Sequence, residues 1–145
     1  MIREFMIGDH RRCDELFAQT EQAATRGDLD ETAAQFKQFQ DGMERHFGME
    51  EGSLFPRIET ITGHSQGPTA VMRSEHEQMR SLMMEMAFAL ENQDTEEFLD
   101  GCETLLILMQ QHNIKEENIL YPMADELLAA DAQELVEQMQ TVESG

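Results

Sequence analysis

The chain lacks tryptophan altogether and has one tyrosine, three prolines and two cysteines among its 145 residues. Each scarcity excludes something. Two cysteines, Cys13 and Cys102, cannot build the disulfide framework of a small secreted domain, so the expected compartment is the reducing cytoplasm. Ten Lys and Arg stand against thirty Asp and Glu, a net charge of −20. A surface so short of cations suits neither nucleic acid nor an anionic membrane, since both demand clustered basic side chains. No apolar run approaches the roughly 20 residues of a membrane span, and the opening stretch MIREFMIGDHRRCDE has no apolar signal core. β-branched residues are few and nowhere alternate cleanly, which argues against strands.

Helical periodicity and twelve methionines are what the sequence does have, and together they suggest an adaptable, Met-filled helical core. Helices are expected at about 1–26, 29–57, 68–91, 95–121 and 132–142. Gly27 ends the first, and Asp28 with Glu31 reads as a capping box opening the second. The second should kink or stop near Pro56. TITGHSQGP is the one obvious loop, and Pro68 suits the first turn of the next helix. Asp94 and Glu97 repeat the capping box. The expected fold is all-α: residues 1–145 form one domain, an antiparallel up-down-up-down four-helix bundle built from two repeated hairpins, plus a short C-terminal helix.

An offset of 66 residues maps His10 onto His76, Asp28 onto Asp94 and Glu31 onto Glu97. It also carries His46, Glu50, Glu51, Leu54 and Pro56 onto His112, Glu116, Glu117, Leu120 and Pro122. In an antiparallel hairpin, residues equally far from the turn lie side by side. His10 and His46 each lie 18 residues from Asp28, and His76 and His112 each lie 18 from Asp94. All four histidines therefore occupy one height, and Glu50 and Glu116 follow theirs by one helical turn on the same face.

Six such side chains in a Met and Leu core would be costly to desolvate without a cation. They are too many for one tetrahedral zinc. They fit two ions, each with two histidines and both carboxylates bridging. Mixed imidazole and carboxylate donors suit iron or manganese better than calcium or magnesium, with zinc a further option. The candidate ligands are His10, His46, Glu50, His76, His112 and Glu116. Two ions sharing them stay coordinatively unsaturated, with room for an oxo or hydroxo bridge and a small ligand. A lone His on an apolar face is usually an ordinary core residue; four at one level with paired glutamates are not explained that way.

Other polar positions have plainer readings. His64 sits in the Gly-rich loop as surface. Glu51 and Glu117 point about 140° from His46 and His112 on a helical wheel, which favours a supporting or solvated role over ligation. Asp9 and Glu75 could support histidines as acceptors, or simply face water. Cys13 reads as a small buried hydrophobe, with ligation or redox sensing as the alternative, and Cys102 as core. Tyr121 corresponds to Phe55 under the repeat, which favours packing.

His10, HFGME, His76 and HNIKE in that order resemble the His, His-x-x-x-Glu, His, His-x-x-x-Glu pattern of hemerythrin-like HHE cation-binding domains, and EEGSLFP and EENILYP resemble the family's tails. The resemblance implies a non-haem di-iron centre in a four-helix bundle, with the four histidines as terminal ligands and Glu50 and Glu116 bridging. The oxygen-carrying hemerythrins differ: they have a further histidine where Met72 stands, and a His-x-x-x-x-Asp on the fourth helix. One iron would then keep an open or water-filled position. The symmetric set is more similar to bacterial domains linked to O2 or NO sensing, iron handling and iron–sulfur repair.

The leading functional reading is a binding protein for O2 or another diatomic such as NO. No separate acid, base or nucleophile constellation appears, so no catalytic residue is assigned. Three alternatives stay open: an iron store or donor serving an acceptor protein, a di-iron reductase of peroxide or NO, and a structural metal bundle.

Overall fold

The computed structural model describes residues 1–143, and every regular element among them is helical. The main helices are α1 (Ile2–Thr25), α2 (Leu29–Met49), α3 (Phe55–Thr62), α4 (Pro68–Glu91), α5 (Thr95–Lys115), α6 (Tyr121–Leu127) and α7 (Ala132–Gln140). α1 packs on α2 and α4 on α5 as tight hairpins, and the α1/α5 and α2/α4 contacts close them into a four-helix bundle. The expected single domain extends to residue 145, whose last two positions lie outside the described residues. No described helix is long and apolar enough to cross a membrane.

The two hairpin turns are built alike. Gly27 (φ 77°) and Gln93 (φ 57°), related by the 66-residue offset, take the left-handed conformation that ends a helix. Asp28 N–H then donates to Ala23 O at 3.1 Å, and Asp94 N–H to Ala89 O at 2.8 Å. Asp28 and Asp94 cap the next helices by accepting from Glu31 N–H and Glu97 N–H, both at 3.1 Å. The return bond of a full capping box is absent here, because each aspartate's own N–H already closes the preceding helix. The start of α1 is capped across the fold: Asp125 of α6 accepts from Ile2 N–H at 2.8 Å and from Arg3 N–H at 3.1 Å.

The second helix does not stop at Pro56. The chain passes through a π-helical turn at Glu50–Leu54 before Pro56 and another at Glu116–Leu120 before Pro122, then continues to Thr62 and Leu127. Pro56 and Pro122 sit in the first turn of the resumed helices, where no intrahelical N–H is required. α7 ends at Gln140, short of the expected 142, and packs against the first π turn and α1.

The core is split in two. On the hairpin-turn side, Cys13, Phe17, Phe39, Met43, Phe47, Met79, Met83, Met86, Phe98, Cys102, Leu105 and Met109 pack together. On the other, Ile2, Met6, Met49, Leu54, Phe55, Met72, Leu120, Tyr121, Leu135 and Met139 do so. A buried polar layer lies between these clusters.

Candidate metal centre

Each helix of the bundle delivers one histidine to the layer: His10 from α1, His46 from α2, His76 from α4 and His112 from α5, all buried. Glu50 and Glu116, at the first positions of the π turns, are 0% exposed. Donor atoms of Glu50, His76, His112 and Glu116 all lie within 4.8 Å of one another, as do those of His10, His46 and Glu116. All six sequence-derived candidates therefore converge, in two groups that share Glu116.

Behind each imidazole stands a carboxylate. His46 Nδ1 is 2.7 Å from Asp9 Oδ2, and His112 Nδ1 is 2.8 Å from Glu75 Oε1. His10 Nδ1 is 2.7 Å from Glu117 Oε2, and His76 Nδ1 is 2.7 Å from Glu51 Oε2. The supporting residues thus hold a histidine of a neighbouring helix rather than the one beside them in sequence. A proton held on Nδ1 by the carboxylate leaves the Nε2 lone pair facing the layer.

Inside the layer the polar atoms crowd without satisfying one another. His76 Nε2 is 3.0 Å from Glu50 Oε1, and His112 Nε2 is 3.2 Å from Glu116 Oε1. Even so, Glu50 Oε1, His76 Nε2, His112 Nε2 and Glu116 Oε2 are buried with no aligned hydrogen-bond partner. Orphaned polar atoms at such depth are costly. Atoms at contact distance but not aimed at each other share a common focus, and a cation there would satisfy all four.

Proton affinities in the metal-free layer show the same strain. Burial lowers the His76 pKa, but the adjacent Glu50 carboxylate and the Glu51 carboxylate that accepts from its Nδ1 outweigh it and lift the group to about 9. Burial likewise works against His46, and the Glu50 charge, the hydrogen bond to Asp9 and the nearby Glu116 carboxylate raise it well above its ordinary value. Glu50 is raised by burial and by the neighbouring Glu116 charge. Burial raises Glu51 too, yet His76 and Arg80 bring it down to about 2. Without metal, the layer favours protons on His46, His76 and His112.

Two features escaped the sequence. Tyr121 does not merely pack: it is 0% exposed and its hydroxyl is 2.7 Å from Glu50 Oε2 and 2.9 Å from Glu116 Oε1. It also lies 3.2 Å from His10 Nε2 and 3.4 Å from His46 Nε2. Five residues on, an α-helical period would put Tyr121 about 140° from Glu116. The π turn, with i→i+5 hydrogen bonds, brings it back beneath that residue. The second is Arg80, which binds both Glu51 oxygens at 3.0 Å and Glu44 at 2.8 Å. A helical stripe does not report such a contact, because Arg80 reaches it from the bundle's flank.

The walls are apolar. The Phe47 and Phe55 rings stack on His76 at 4.0 and 5.7 Å between centroids. On the methionine side a small cavity of ≈ 10 Å³ touches His10, His46 and His112 between Cys13, Met43 and Met79. That is about the room one water needs. Cys13 and Cys102 are both buried and free, and His64 is exposed.

Residues 1–124 match the family model of the Hemerythrin HHE cation binding domain. Comparison with curated proteins and with solved structures returns no significant match.

Proposed function

Since this chain belongs to the hemerythrin HHE cation-binding family, we propose that its polar layer holds two iron ions and that it binds O2 or another diatomic such as NO there. His10 and His46 would hold one ion and His76 and His112 the other, with Glu50 and Glu116 between them. The observation that carries the reading is the set of four buried, unpartnered donor atoms at the centre of six converging side chains. Iron would supply reversible binding of a diatomic and one-electron exchange; manganese or zinc would fit the same donors less selectively.

The chain's own contribution is orientation and exclusion of water. Asp9, Glu51, Glu75 and Glu117 keep the four Nδ1 protons in place, so each Nε2 stays free as a ligand. Phe47, Phe55, Met43 and Met79 line the approaches with apolar surface, which admits an uncharged diatomic more readily than an ion. No catalytic acid, base or nucleophile is assigned.

Elemental analysis of the purified protein, with absorption spectra before and after anaerobic reduction and re-exposure to air, tests the reading. About two irons per chain, one for each donor group, with a spectrum that changes reversibly, supports it. Iron that passes to a chelator or an acceptor protein would favour storage or donation instead. Sustained consumption of peroxide or NO with a reductant would favour an enzyme. Fewer than one metal per chain, with unchanged stability in chelator, would defeat any metal-binding role.

A further inference from the structure

We propose that Tyr121 is itself a metal ligand, completing the donor set of the His10/His46 position and making the two positions of the layer unequal. The inference rests on the reading that the layer holds iron.

The first ground is the donor count. The His76/His112 group contains four carboxylate and imidazole residues, whereas the His10/His46 group contains three. The phenol oxygen of Tyr121 stands beside the shorter set, 3.2 and 3.4 Å from its two Nε2 atoms and 2.9 Å from its carboxylate.

Spacing is the second ground. Donors bonded to one ion at about 2.1 Å in an octahedral arrangement sit ~3.0 Å apart along each edge. The phenol oxygen meets four donor atoms at 2.7–3.4 Å, and His10 Nε2 is 3.0 Å from Glu116 Oε1. A phenol has one proton to donate. It can satisfy only one of the two carboxylate oxygens in contact with it, leaving the other facing a lone pair. A cation among these atoms removes the conflict. On binding, the phenol O–H breaks, its proton leaves to solvent and the oxygen pair forms the bond to iron(III), with no change of oxidation state.

The third ground is the other hairpin. The equivalent residue is Phe55, whose ring lies over His76 as the Tyr121 ring lies beside His10, at 5.7 and 5.6 Å between centroids. The same location is occupied by an aromatic ring in both halves, and the oxygen is present in one.

The test uses the full chain, iron-loaded and held ferric, with iron content measured beside the spectrum. The wild type should show a visible phenolate-to-iron(III) charge-transfer band, and excitation into it should enhance tyrosine ring vibrations. Tyr121→Phe should keep its helical circular dichroism and most of its iron but lose the band. Phe55→Tyr should strengthen or split it. Iron-loaded wild type without the band, or with a spectrum matching Tyr121→Phe, overturns the ligand role and leaves the di-iron reading standing. A wild type that takes up no iron overturns both. If Tyr121→Phe fails to fold, the ring vibrations of the wild type decide, because Tyr121 is the sole tyrosine in the chain.

Discussion

In the first hairpin Asp9 supports His46 and is itself held by Arg12 at 2.9 Å and Arg45 at 3.5 Å; in the second, the equivalent Glu75 supports His112 and meets Lys115. The other pair of supports differs more. Glu51, behind His76, is clamped by Arg80, whereas the residue in the Arg80 position of the first hairpin is Asp14, near Glu117. Burial raises the Asp14 pKa and the Glu117 charge adds to the rise. The six histidine and glutamate donors and the four carboxylates behind the histidines correspond between the halves, which differ within the layer at Tyr121 and Phe55 and again in the charges one contact further out. Imidazole nitrogens that must meet at one focus tolerate little variation in direction. A charge that steadies an outer carboxylate can come from several directions, so the same pairing of histidine and carboxylate is compatible with different surroundings.

The largest expected break in this comparison is between the two bridging candidates. Glu116 belongs to both donor groups and Glu50 to one, so Glu116→Ala should remove nearly all bound metal while Glu50→Ala retains part of it. Metal content after gel filtration checks this, and equal losses would mean the positions share Glu50 as fully as Glu116. Next in size, Arg80→Ala should weaken metal retention against a chelator by roughly tenfold, the low end for loss of an outer support. Asp14→Ala should change it far less.

A pH series sharpens the contrast further. His76 has a folded-state pKa of about 9 in the metal-free protein, above its ordinary 6.5. Its contribution to stability is therefore fully present below about pH 6.5 and lost as pH rises through 9. Glu51, lowered to about 2 from 4.5, contributes above pH 4.5 and loses its effect as pH falls toward 2. Urea unfolding of metal-free protein should accordingly show lower stability at pH 9.5 than at pH 6.5, with a smaller drop in the metal-loaded form. Metal displaces the histidine protons, so loading near neutral pH should also release acid, measurable in weak buffer.

The smallest effect lies at the turns. Gly27 takes the left-handed conformation freely, while Gln93 holds the same conformation with a side chain. Gln93→Gly should raise stability by about 0.5–1 kcal/mol and Gly27→Gln lower it by about 1 kcal/mol. Shifts in urea midpoint test both. If neither moves the midpoint, backbone strain does not distinguish the two turns.

Much of this architecture was legible before any coordinates. Asp28 and Asp94 mark helix starts because a short carboxylate satisfies free N–H groups locally. The 18-residue spacing on both sides of each turn places the four histidines at one height. The repeat also misled, in one place: it assigned Tyr121 the packing role of Phe55. The half-formed capping boxes and the continuation past Pro56 were illegible for a related reason. Each depends on which alternative hydrogen bond a particular N–H or carbonyl finally makes.

What the sequence by itself determined is therefore the four long helices of the bundle, their pairing into two hairpins and the level at which His10, His46, Glu50, His76, His112 and Glu116 meet. These follow from local periodicity and from equal distances along the chain. The tertiary structure alone decided that Asp9, Glu51, Glu75 and Glu117 support histidines across helix boundaries, that Asp125 caps α1, and that the π turns bring Tyr121 into the layer. Those contacts join residues far apart in sequence or shift the register by one residue. Their geometry exists only once the helices have packed.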